Sequence, residues 1–264
     1  MKGGGTVQAF LRLLRMELRR AVQSGFFPAA YLAMLVTLLL NIYLYSSTDS
    51  DVSVAYFLEY SFIGALAMLY YVWGVLPHGL SYCTDKQSGF LRQIAVRCPA
   101  KSYCAAKCCA AFLSSALSTA MAVSTFLLML SFSRPLDNDI YLYDNGYRTW
   151  FPGHPVFYFI IATMILAMGS GLFSILALWI SSYIQNPFAV LASPLLLYYT
   201  QGIVLKKLGL GDLWFLDFAS MFHFMPGFSS PAANFFYTCG YLLALAVFFG
   251  ILFTRRAEKE RLNG

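Results

Sequence analysis

The sequence predicts an all-α membrane protein: six transmembrane helices, an N-terminal amphipathic elbow helix, cytosolic N and C termini, and a re-entrant helical hairpin before the last span. Three observations predict it. Of 264 residues 59% are apolar and 11% charged, whereas a soluble domain is roughly 45–50% apolar and about 25% charged. Apolar runs long enough to cross a bilayer core, about 20 residues of helix, occur six times. The basic residues gather on alternate connections. Together these exclude an ordinary soluble enzyme, a disordered chain and a disulfide scaffold. The runs are continuous rather than alternating, which excludes a transmembrane β-barrel.

The spans fall at 26–45, 55–76, 105–132, 156–184, 188–205 and 232–253. No piece between them approaches the roughly 50 residues of an independent domain, so 1–264 reads as one transmembrane domain. Segment 26–45 is too long, and too far from the start, for a signal peptide and reads as an uncleaved span. With the N-terminus in the cytosol, the inner pieces plus Lys107 at the start of the third span hold fourteen bases and four acids, and the outer pieces hold four bases and, counting Glu59 near the outer end of the second span, eight acids. The positive-inside rule weighs bases, so basicity reads as topology and implies no nucleic acid. Cys83, Cys98, Cys104, Cys108 and Cys109 fall on the reducing side and Cys239 lies in a span. Disulfides are not expected there, and no C-x-x-C pair favours zinc.

Residues 1–25 carry Val7, Phe10, Leu11, Leu14, Leu18, Ala21 and Val22 at helical steps, with Gln8, Arg12, Arg15 and Arg19 on another face and Arg20 near its end. Such a helix lies in the inner interface, drawn by anionic head groups. Ser24-Gly25 and then Pro28 permit an elbow into the first span.

The loop 77–104 is the most informative stretch. Phe90, Leu91, Ile94 and Val96 stand among charges in a cytosolic connection. Such an amphipathic helix either lies on the membrane or fits a groove on another protein. Thr84-Asp85-Lys86, Gly89-Phe90-Leu91-Arg92, Arg97-Cys98-Pro99, Tyr103 and Lys107 together resemble the corresponding loop of ABC-2-type transporter permeases. There a charged lead runs to Gly-Thr-Leu, a Pro and a Lys that opens the third span; Phe90 stands where Thr is usual. The order of the whole chain is similar: elbow helix, six spans, a long first cytosolic loop and a very short second one.

The resemblance implies a bacterial cytoplasmic-membrane ABC exporter subunit with a coupling helix near 84–95. It would dock on a separate ATPase that binds the ATP and Mg, since no G-x-x-x-x-G-K-[ST] loop occurs here. It also implies a smaller contact at Ser181–Pro187 and pairing with a second permease copy or a sister chain. An immunity or sensor permease of a peptide-antibiotic system shares this architecture. An intramembrane serine protease would need G-x-S-G where the chain has Met168-Gly169-Ser170-Gly171, and a metalloprotease H-E-x-x-H, which is absent.

On the outer side, 133–155 carries Tyr141, Tyr143, Tyr147, Trp150 and Phe151, as interface anchors do or as a lid would. The segment 206–231 is too rich in Gly and Pro to cross, yet Leu213–Leu216 and Met221–Met225 are apolar; two short helices packed on protein satisfy both facts. Within the spans, Glu59 is the one acid and a candidate pathway residue, although at its depth a hydrated, outward-pointing carboxylate is the plainer expectation. Pro194, the other pathway candidate, should kink the fifth span. The Gly169-Ser170-Gly171 trio suits helix contact. A largely uncharged path fits an amphipathic peptide, lipid-like or drug-like cargo.

Overall fold

Among the described residues five helices are long and apolar enough to cross a membrane: Phe26–Leu44, Ala100–Ser131, Pro155–Ser181, Pro187–Lys207 and Pro231–Glu260. The chain is therefore built as a multi-pass membrane protein. The computed structural model describes residues 3–45, 52–61, 67–91, 98–137, 147, 150, 153–210, 213, 216–217, 228 and 230–263. Among these the regular elements are helical throughout, with no strand. They run α1 (Gly3–Gln23), α2 (Phe26–Tyr45), α3 (Val54–Ser61), α4 (Ala67–Val75), α5 (Ser81–Gln87), α6 (Ala100–Ser131), α7 (Pro155–Ser181), α8 (Pro187–Lys207) and α9 (Pro231–Asn263).

The helices start and stop for local reasons. Pro155 and Pro187 occupy the first turns of α7 and α8, where a missing N–H costs nothing. Asn186 caps α8 by accepting from the Phe188 amide at 3.0 Å. Pro194 lies inside α8 and deprives the Val190 carbonyl of its usual donor. Ser193 replaces that donor, its Oγ 2.6 Å from Val190 O, so the helix keeps its hydrogen bonds where no water would supply them. Pro194 itself is buried.

The paired helices α6 and α7 form the centre, with α1, α2, α4, α8 and α9 around them. Close approach needs small residues. Gly171, Ser170 and Gly169 are buried on α7, and a Cβ at Gly171 would come within 2.6 Å of the Phe112 ring on α6. A Cβ at Gly74 of α4 would meet Ser170 at 3.0 Å. Polar bridges follow the same contacts: Ser115 donates to Gly74 O at 2.5 Å, Trp73 to Thr37 at 3.0 Å, and Asn41 to Ser61 O at 2.5 Å.

Several expectations change. The apolar stripe of α1 divides in two. Leu13, Glu17 and Ala21, one helical turn apart, are buried against α6, whereas Leu11 and Val22 are exposed. Phe10, Leu14 and Leu18 are half-buried between them, Arg12, Arg15 and Arg19 are exposed, and the Val7 side chain lies outside the described set. The expected single helix over 84–95 is also interrupted. It ends at Gln87, and Gly89 turns the backbone left-handed at φ 72°, a conformation glycine takes without a Cβ penalty. Helical residues resume at Phe90 and Leu91, while Arg92, Ile94 and the rest of 92–97 lie outside the described residues.

Glu59 is not hydrated and outward-pointing; it is 2% exposed, with Tyr158 Oη 3.4 Å from its Oε1. Leu58 and Glu59 follow Val54 and Ala55 by one turn, so the face that buries the first pair carries the carboxylate inward with the second. Most of 138–152 and 211–229, including the expected hairpin helices, lies outside the described residues. Within it Tyr147 is buried and Trp150 packs against Phe235 with tilted rings, centres 5.9 Å apart.

Candidate functional site

At the end of the bundle where α2 begins and α9 finishes, six polar side chains from four parts of the chain meet. Glu17 and Arg20 come from α1, His78 from the turn after α4, Asp85 from α5, and Tyr103 and Lys107 from the first two turns of α6. Each arrives by helix geometry. Glu17 sits between Leu13 and Ala21 on the packed ridge of α1, Arg20 follows it by three residues, and Lys107 follows Tyr103 by four on one face of α6.

The contacts close on themselves. Asp85 Oδ2 accepts from Lys107 Nζ at 2.5 Å and Tyr103 Oη at 2.7 Å, and Asp85 Oδ1 accepts from Arg20 Nη2 at 2.8 Å. Glu17 Oε2 meets His78 Nε2 at 2.9 Å and Lys107 Nζ at 3.4 Å, and its Oε1 accepts from Arg20 Nη1 at 3.3 Å. Arg20 and Lys107 thus each bridge both carboxylates. Two acids face two bases, and the layer is charge-balanced while almost fully buried, with only Arg20 reaching solvent. Burial of a charge is tolerated only with such pairing.

The electrostatics follow from this geometry. Burial pushes the Glu17 carboxyl up, but the His78 hydrogen bond and the cations Lys107 and Arg20 outweigh it and hold the group down at about 2. Asp85 is likewise pushed up by burial and pulled further down by Lys107, Arg20 and Tyr103. Burial lowers His78 below its ordinary value; Glu17 opposes that, and the charges of Lys107 and Arg20 reinforce it. The imidazole is then uncharged at neutral pH and donates its Nε2 proton to Glu17.

A second set of contacts holds α5 from its other side. Glu260 of α9 accepts from Tyr82 Oη at 3.1 Å and Lys86 Nζ at 3.2 Å. Arg256 lies 3.7 Å from the same carboxylate and stacks 4.7 Å over the Tyr183 ring. The carbonyl of Gln185, in the turn between α7 and α8, accepts from Cys83 Sγ and Gln87 Nε2, both at 2.9 Å. α5 and the 181–187 turn, both singled out in the sequence, therefore lie side by side.

Of the expected docking residues, Thr84 is exposed and Lys86 is half-buried on Glu260, while Asp85 faces inward. Phe90 is half-buried with the Arg20 guanidinium 5.0 Å above its ring, and Leu91 packs on the core. Gly89 makes the turn between them. On α1, Arg20 joins the layer whereas Arg12, Arg15 and Arg19 remain at the surface. Glu59 and Pro194 are separate from this site: Glu59 lies near Tyr158 at the start of α7, at the opposite end of the bundle. Sequence reasoning missed Glu17, His78 and Lys107 as a group; the available signal was an acid placed between Leu13 and Ala21 on a packing face.

Among the described residues no group of three or more His, Cys, Asp or Glu is arranged to hold a metal ion. The six cysteines are free thiols, and burial pushes the Cys83 thiol up. No nucleophile stands beside a free base in the layer, since each carboxylate oxygen and the His78 Nε2 is already engaged. What the arrangement does physically is join α1, α5 and α6 into one unit. No family model, curated protein or solved structure matches this chain.

Proposed function

We propose that the chain is the transmembrane subunit of an ABC-2-type exporter in the bacterial cytoplasmic membrane, moved by ATP hydrolysis in a separate subunit. The observation that carries the reading is the double attachment of α5. Asp85 ties it to α1 and α6, and Glu260 ties it to α9. A force applied at Thr84–Leu91 reaches three helices at once, as a coupling element requires.

Other features support the same reading. The contacts Asn41–Ser61 and Thr37–Trp73 run in opposite directions along the two segments, which supports reading α3 and α4 as a sixth crossing antiparallel to α2. The three faces of α1, one on α6, one apolar and exposed, one arginine-bearing, suit an elbow helix in the interface. The charge bias supports an orientation with both termini and α5 in the cytosol. Exposed apolar side chains on α2 and α8, such as Leu32, Val36, Leu196 and Ile203, offer a face to a second permease copy. The cargo would be an amphipathic peptide, lipid-like or drug-like molecule.

The test is affinity purification of the intact chain from its native membranes, followed by an ATP turnover assay. An accompanying ATPase subunit, lost on Phe90→Asp while membrane insertion is retained, is the expected result. Purification with no ATPase, and none whose turnover responds to the chain, ends this reading.

A further inference from the structure

On the outer surface of the bundle a groove of about 730 Å³ runs between α6 and α9. It exists because the helices face each other there with short residues: Ala105 and Cys108 on one side, Ala246 and Gly250 on the other. Its apolar lips remain open, Leu113, Val247 and Ile251 being 47%, 62% and 47% exposed. At one end stand Lys101 and Arg255, both exposed and neither in an ion pair with a described residue. Glu258 lines the same end, which leaves one net positive charge at the mouth.

Length and charge together indicate the occupant. At about 1.5 Å per residue, Lys101 to Leu113 covers about 18 Å, close to one leaflet of a hydrocarbon core about 30 Å thick. Dividing about 730 Å³ by that length leaves a cross-section of about 40 Å². That is room for an extended hydrocarbon chain, and the exposed cations Lys101 and Arg255 at the mouth suit an anionic head group, where an apolar helix of a second copy would leave them unpaired. The cations stand at head-group depth, and with this end of the bundle in the cytosol they face the anionic leaflet.

We infer that this groove is a binding site for one anionic phospholipid, an acyl chain along Cys108–Leu113 and Val247–Gly250 and the phosphate between Lys101 and Arg255. The site requires that the helices cross a bilayer; it does not require an ATPase partner, so loss of the transporter reading would leave it standing.

The test is native mass spectrometry of the intact chain released from nanodiscs of phosphatidylglycerol, phosphatidylethanolamine or phosphatidylcholine. One phosphatidylglycerol should survive delipidation, with neither other lipid retained as well. Lys101→Gln with Arg255→Gln should weaken retention about thirtyfold, the effect of two basic side chains at an anionic surface, while unchanged thermal midpoints report intact folding. Gly250→Phe should exclude the lipid by filling the groove, since a Cβ there meets only Cys108 Sγ at 3.8 Å. Cys109, exposed in the lining, should react more slowly with a maleimide in phosphatidylglycerol, and Gly250→Phe should abolish that protection. Equal retention of all three lipids, a preference for phosphatidylethanolamine through Glu258, or retention unmoved by the variants overturns the inference. So does a Cys109–Cys109 cross-link between copies.

Discussion

Lys107 Nζ lies 2.5 Å from Asp85 Oδ2, both side chains sealed from solvent and the lysine already inside a helix that crosses the apolar core. The pair is stable there because the same amine reaches Glu17 and the same carboxylate reaches Arg20 and Tyr103. Taking either charge out of water is costly, and only a closed arrangement compensates for it.

Removing one member should therefore cost far more than one hydrogen bond. Lys107→Met leaves Glu17 and Asp85 facing a single cation, with an expected loss of about 3–5 kcal/mol. Thermal unfolding in detergent reads it as a lowered midpoint. Asp85→Asn combined with Lys107→Met should be more stable than Lys107→Met alone, because the uncompensated buried carboxylate is gone.

The layer also sets a pH dependence. Glu17 is held at about 2 against an ordinary 4.5, so its contribution is complete above about 4.5 and disappears as pH falls through that window. At about 1.4 kcal/mol per unit, this is about 3 kcal/mol. His78 is lowered from 6.5. The unfolded chain therefore takes up its proton first, and stability begins to fall as pH drops below about 6.5. A series of unfolding midpoints should fall from neutral pH downward, and His78→Gln should flatten its upper limb while reducing, without abolishing, the acid limb of Glu17, which Lys107 and Arg20 still hold down.

The outer attachment of α5 should be much weaker than the inner one. Lys86 and Glu260 are each about a quarter exposed, at 27% and 23%, so Lys86→Ala is expected to cost under about 1 kcal/mol. Asp85→Ala should exceed it several-fold. Equal losses in denaturation of the purified protein would mean that the two attachments of α5 are energetically alike.

The α6–α7 crossing depends on the absence of one side chain. Gly171→Ala drives a Cβ against the Phe112 ring and is expected to cost about 1–3 kcal/mol. Combining it with Phe112→Leu should restore part of the loss, measured by the same unfolding midpoints.

Topology can be read from α1. Arg15 is exposed on its polar face, so Arg15→Cys should react with an impermeant thiol reagent in inside-out vesicles and not in intact cells. Labelling from outside would reverse the orientation.

Much of this was legible in one dimension. The runs at 26–45, 156–184 and 232–253 read as spans because length and apolarity alone decide whether a helix can cross. The Gly169-Ser170-Gly171 trio read as contact because lack of bulk is a property of the residues themselves. The layer was harder. In the sequence Lys107 is only the Lys that opens the third span, and His78 and Glu17 carry no signal of their partners within loop 77–104 and segment 1–25, because each has its meaning only through residues 22 to 90 positions away. Glu59 was misjudged for the same reason: depth along a helix can be counted from the boundary, but the direction it faces depends on its neighbours.

Apolar content and base distribution by themselves determined that this chain is helical and crosses a membrane several times, since both follow from the transfer free energy of each residue summed along the chain. Tertiary structure alone decided that two acids and two bases meet at one end, that α5 is attached to three helices, and that a groove opens between α6 and α9. Those outcomes depend on which faces of the helices touch, and a buried charge is tolerated only where folding brings its partner within a few ångströms.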